Sequence, residues 1–170
     1  FVPGVYGQAL DTTVSGGNPE YVEITGFKGI LGGNPFSITA WINTSDGSGT
    51  LVGWGSTAGG VTRFEFRPND DELRAESSGN VQGLTKLPNN EWIHVAVTVK
   101  ADAVITEPDV TLYLNGEVDN DPATGGSASL QMAAGSDVTI ARRHTSGRWF
   151  DALIDDLRIY DVELTQKEVQ

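Results

Sequence analysis

A chain of 170 residues, 38% of them hydrophobic, is long enough for one well-buried core, and its short apolar runs never approach the roughly 20 consecutive apolar residues of a spanning helix, so no membrane insertion is expected. It has no cysteine, which removes disulfides, thiolate metal sites and a cysteine nucleophile from consideration. Twenty-three acidic against eleven basic residues give a formal net charge of -12, which argues against nucleic acid and anionic membrane as partners and fits a secreted, salt-tolerant or calcium-rich setting. The chain opens at Phe1-Val2-Pro3 with neither an initiator Met nor a signal peptide, so residues 1–170 are expected to be a single domain excised from a longer multidomain protein.

In chain order, short alternating runs are separated by turn residues. Residues 21–24 alternate, 29–35 break the pattern, and 36–42 alternate again with Phe36, Ile38, Ala40 and Ile42 on one side. A turn at 46–49 leads to a strand-like run at 50–54, and a second turn at 56–60 leads to 61–67. There Phe64 and Phe66 face one way and Arg63, Glu65 and Arg67 the other, a polar face that is either plainly solvated or the floor of a groove. Residues 72–76 alternate in charge, as a solvated edge does. Residues 92–99 carry the apolar row Ile93, Val95, Val97 and Val99 with His94 opposite, and Asn115-Gly116 between apolar runs predicts a hairpin, because both central residues need positive φ. Residues 138–141 form another short strand. Thr165 and Glu168 make the chain's one helix signature, a capping box close to the last residue. Many short strands and 21 glycines predict an all-β, antiparallel two-sheet sandwich.

Residues 152–160 place two carboxylates inside a strand-like run. Strict alternation puts Leu153, Asp155, Leu157 and Ile159 on one face and Ile154, Asp156, Arg158 and Tyr160 on the other. Asp155 then lies in the apolar row, where a carboxylate must be paired, hydrogen-bonded or metal-bound. Two readings stand: a backbone-capping or salt-bridging aspartate, or an oxygen ligand of a structural Ca²⁺.

The succession of Gly7 to Leu10, Tyr21-Val22, the run at 36–42, Trp92 to Ala96, Leu112 to Gly116, Phe150 and the run at 154–160 with Leu164 and Glu168 resembles a laminin G-like domain over nearly the whole chain. The resemblance implies a concanavalin A-like jelly roll, a structural calcium, and an extracellular or cell-surface module that binds carbohydrate or protein. Asp155, with Asp11 as a second candidate and backbone carbonyls of residues 32–34 and of the chain near the N-terminus as co-ligands, would hold that calcium. In two places the chain departs from the family pattern: no aromatic-Asp-Gly element follows Ala9-Leu10, where Asp11 opens the stretch 11–16, and Ile140-Ala141 and Phe150-Asp151 stand where the family has Ile-Gly and Phe-x-Gly.

Three functions are weighed. A hydrolase of this broad fold would carry closely spaced carboxylates on one strand, and no such motif or Gly-x-Ser-x-Gly elbow occurs, so no enzyme is expected. A carbohydrate-binding lectin needs an aromatic face with charged or amide groups around it. The loop at 142–149, with Arg142, Arg143, His144, Arg148 and Trp149, offers that mixture, and Trp54 and Arg63 are further candidates, whereas Trp41 and Trp92 are read as core and His94 as structural. Forked guanidinium donors there would suit an acidic polysaccharide or cell-surface glycan. A protein-adhesion or spacer domain is the third reading.

Overall fold

The computed structural model describes residues 1–13, 20–58, 60–145 and 147–170. Residues 14–16 after Asp11, residue 59 of the turn expected at 56–60 and residue 146 of the 142–149 loop lie outside the described residues. The strands are β1 (Val2–Pro3), β2 (Gln8–Asp11), β3 (Val22–Ile24), β4 (Phe36–Thr44), β5 (Val52–Gly55), β6 (Arg63–Asn69), β7 (Glu72–Glu76), β8 (Asn80–Lys86), β9 (Ile93–Val99), β10 (Val110–Leu114), β11 (Glu117–Val118), β12 (Val138–Ile140) and β13 (Ala152–Tyr160), followed by the helix α1 (Gln166–Val169).

They pair into two antiparallel sheets, seven strands in the order β1-β2-β13-β4-β9-β10-β11 and six in the order β3-β12-β5-β6-β7-β8. The inward row of β4, Phe36, Ile38, Ala40 and Ile42, is at most 1% exposed. It meets Trp54, Phe64 and Phe66 of the other sheet across a core where the Phe36 ring lies 5.1 Å from that of Trp54 and 4.8 Å from that of Phe64, both edge to face. The expected sandwich is therefore present.

The alternation predicted for β13 is corrected by a β-bulge. Ile154 pairs with Ile42 and Asp155 with Trp41, but the next partner pair is Arg158 with Thr39, so two residues of β13, Asp156 and Leu157, oppose Ala40 of β4. Asp156 takes the extra position with a φ of 46°. Ile154 and Ile159 thus both face the core, while Asp155 faces outward beside Trp41 rather than lying in the apolar row.

Candidate functional site

The bulge shapes the outer face of the seven-stranded sheet. Because β4 commits its even-numbered residues to the core, Thr39 and Trp41 point away from it, and Trp41 sits opposite His94 of β9 with the two rings 5.4 Å apart. The turn between β1 and β2 brings Tyr6 to one side. On the other, α1 docks through buried Val169 onto Ala96 and Tyr113. The bulge aims Asp156 and Arg158 into the space between, and Arg158 Nε donates to Asp156 Oδ1 at 2.8 Å. The result is a cavity of about 810 Å³ lined by Tyr6, Thr39, Trp41, His94, Asn115, Asp156, Arg158, Tyr160 and the end of α1. Burial holds the His94 imidazole below its ordinary pKa, against the pull of the Asp156 charge.

The outer face of the six-stranded sheet is ionic. Glu65 stands directly opposite Glu76, and Arg67 opposite Arg74. Glu65 is fully buried, accepting from Arg143 Nε at 3.0 Å and Arg148 Nη1 at 3.1 Å, while Glu76 accepts from Arg148 Nη1 at 2.8 Å and Arg67 Nε at 3.0 Å. Burial pushes the Glu76 carboxyl up, but the hydrogen bond from Arg148 and the charge of Arg67 outweigh it and leave the group below its usual range. The solvated-face reading of Arg63, Glu65 and Arg67 is thus corrected: Arg67 is 4% exposed and Glu65 not at all, with Arg143 and Arg148 reaching over to Glu65 and Glu76 to Arg67.

The structure sorts the residues proposed from sequence. Trp54 is fully buried in the core and its Nε1 donates to Ile30 O, so it offers no ligand face. His144 is also buried, with Nε2 on Ser56 O, and Arg143 and Arg63 are held by Glu65. Half-buried Trp149 packs edge to face on Tyr21, and the Arg142 guanidinium lies 3.6 Å from the Tyr21 ring centroid and 5.3 Å from that of Trp149. Arg148 is the loop residue that reaches a cavity.

For the metal candidates the ligand set does not converge. Asp155 Oδ2 accepts from Tyr6 N at 2.7 Å and Oδ1 from Asp156 N at 2.8 Å, and Asp11 is turned to Thr13. A Cβ on Gly4 would lie 2.5 Å from Asp155 Oδ2, so the β1–β2 turn closes directly over this carboxylate. No group of three or more acidic or histidine side chains suited to a metal occurs among the described residues. The capping contacts of Asp155 are thus present in the structure.

Trp41 and His94, read from sequence as core and structural, are the floor of the larger cavity. The signal was there in the alternation: the residue between Ala40 and Ile42 had to face outward, as did His94 between Ile93 and Val95.

With fold and site in hand, comparison with known proteins gives the family. The concanavalin A-like lectin/glucanase superfamily matches residues 16–170, and the chain belongs to it. No curated protein matches the sequence. Among solved structures, domain 4 of the extracellular GH43 arabinanase AbnA from Geobacillus stearothermophilus, in complex with arabinotriose, is similar at a TM-score of 0.70 and 20% identity over 99% of this chain and 77% of that one. The CBM40 of Ruminococcus gnavus IT-sialidase, bound to α2,3 sialyllactose, matches at 0.70 and 12% over 95% and 94%. Mouse laminin α1 domains LG4-5 match at 0.62 and 14% over 93% and 44%. At such identities the likeness is one of fold.

Proposed function

We propose that this domain binds carbohydrate in the Trp41–His94 cavity, without turning it over, as a module of an extracellular protein. The observation that carries the reading is the cavity itself: an indole and an imidazole on a rigid sheet, two tyrosines beside them, and a carboxylate, a guanidinium and an amide at hydrogen-bonding positions around them. Similar folds crystallised with arabinotriose and sialyllactose support the ligand class, and the extracellular arabinanase supports the setting. Among the described residues no helix is long and apolar enough to cross a membrane.

Binding without hydrolysis is also the reading for the opposite face, where the carboxylates Glu65 and Glu76 stand opposite each other. A glycosidase needs one carboxyl kept protonated by a raised pKa. Glu76 is instead shifted down and Glu65 is covered by arginines. A structural calcium at Asp155 stays part of this proposal: the carboxylate accepts the Tyr6 and Asp156 amides and keeps further lone pairs for a cation.

A glycan array followed by calorimetry on the best neutral oligosaccharide tests the reading. Trp41→Ala should weaken binding roughly tenfold or more, equivalent to about 1.4 kcal/mol, with Trp41→Phe retaining part of the affinity. Unchanged affinity in a folded Trp41→Ala protein would sink the assignment.

A further inference from the structure

On the opposite face a second cleft, of about 390 Å³, lies between β7, β8 and Arg148 and is lined by Arg67, Arg74, Glu76, Ser77, Asn80 and Arg148 among others. Its charge is unbalanced in a direction opposite to the protein's. Like charges placed directly opposite each other on neighbouring strands destabilise a sheet unless something neutralises them. The Glu65–Glu76 pair is neutralised by Arg63, Arg143 and Arg148. Among the described residues, the Arg67–Arg74 pair has only Glu76 between it, 3.0 Å from Arg67 Nε and 3.5 Å from Arg74 Nε. The next acid along β7, Glu72, is taken up by Gln82.

The donors are unequally used. Arg67 spends its guanidinium on Glu76, Pro68 O and Asn69. The Arg74 side chain makes no hydrogen bond among the described residues, its buried Nε meeting Glu76 only as an ion pair at 3.5 Å. Arg148 gives Nη1 to both glutamates and its side chain stays 31% exposed. Burial, with Arg148 and Arg74 nearby, weakens the Arg67 cation, while Glu76 opposes this. Beside the guanidiniums stand the Ser77 hydroxyl and the Asn80 amide.

We propose that this cleft is a second binding site, separate from the Trp41 cavity, which takes an oxyanion substituent of an acidic glycan: a carboxylate or a sulfate held between Arg74 and Arg148. The forked donors match either oxyanion, and a point-charge cation would not replace them. Such a group supplies the negative charge that the Arg67–Arg74 pair lacks.

Calorimetry on the whole chain with three probes of similar length tests it: an oligogalacturonate, a sulfated oligogalactoside and a neutral oligosaccharide, each at low and high salt. At least one acidic probe should bind more tightly than the neutral one, and added salt should weaken it. Arg74→Gln should cut that affinity roughly tenfold, and Arg74→Lys, which keeps the charge but not the fork, should also weaken it. Trp41→Ala should leave it unchanged. The probe that binds tells carboxylate from sulfate. No binding of either acidic probe, equal binding of neutral and acidic probes, or an unchanged affinity in folded Arg74→Gln would overturn the proposal. Loss of acidic binding on Trp41→Ala alone would assign the ligand to the other face, and failure of the Trp41 reading with acidic binding intact would leave this site standing.

Discussion

At the residue scale, Asp155 shows how backbone amides hold a buried carboxylate. Its two oxygens cap the Tyr6 and Asp156 amides, tying the β1–β2 turn to the bulge of β13. Removing the acceptor strands at least one N–H at about 1–3 kcal/mol, so Asp155→Ala should lower the melting temperature while Asp155→Asn recovers part of the loss. Melting in EDTA and in excess calcium checks the metal reading: a calcium-dependent rise in the wild type that Asp155→Ala abolishes would place the ion at this carboxylate, and equal melting would leave the carboxylate to the backbone alone. Trp54 and Trp149 make a matched pair: Trp54→Ala should cost about 3–5 kcal/mol as a core truncation, and Trp149→Ala much less, since Trp149 is only half-buried. Single-residue environments were the least legible part of the sequence. Glu65 reads as a surface residue until Arg143 and Arg148 are known to reach over to it, and no local pattern announces a contact between residues 83 positions apart.

At the element scale, strands with strict alternation were legible. β7 and β13 span the residues the pattern gave them, although β7, expected as a solvated edge, lies between β6 and β8 with Leu73 and Ala75 fully buried, and the Asn115-Gly116 hairpin has the positive φ values, 49° and 81°, that it predicted. β8 was missed because Gly83 interrupts it and its second half is exposed. The backbone there runs close to Asp119, whose carboxylate would have to move to admit a Cβ. The β13 bulge was missed for a related reason: Asp156, the residue in the left-handed region, carries a side chain, and nothing but its partner strand marks the extra residue. The hairpin also supports the cavity, because Asn115 Oδ1 accepts the His94 amide and Gly116 O accepts from Gln166 at 3.0 Å, anchoring α1. Gly116→Ala should therefore cost about 1–2 kcal/mol for its left-handed backbone, with more added where the new Cβ meets Gln170. Amide exchange in α1 should accelerate in that variant, and unchanged exchange would show that the helix is held by Val169 alone.

At the scale of the whole molecule, a sandwich core that the alternation made plain separates two outer faces of different character, one aromatic and one ionic, and each holds a histidine, half-buried His94 on the first and buried His144 on the second. His94 and His144 are both held below their ordinary pKa of 6.5, first by burial; Asp156 opposes this at His94, and Ser56 O and Glu65 oppose it at His144, where Arg63 and Arg143 act with burial. A lowered folded-state pKa means that the unfolded chain takes up protons first as pH falls, so the stabilisation is complete above about 6.5 and declines as pH drops through the folded values. Glu76 works in the same direction further down: its depressed pKa contributes stability above its ordinary 4.5 that is lost on stronger acidification. Relief of self-repulsion in a chain of net charge -12 acts oppositely, but it needs exposed carboxylates to protonate, which begins below about pH 5. The interval between these two regimes isolates the histidines. Thermal melts should be flat from pH 8 to 7 and fall between roughly 6.5 and 5; His144→Gln, which keeps a side-chain donor for Ser56 O, should flatten that fall, and the double variant with His94→Gln should flatten it further. A melting temperature that holds level or rises across this interval in the wild type would show that neither imidazole is kept neutral by the fold.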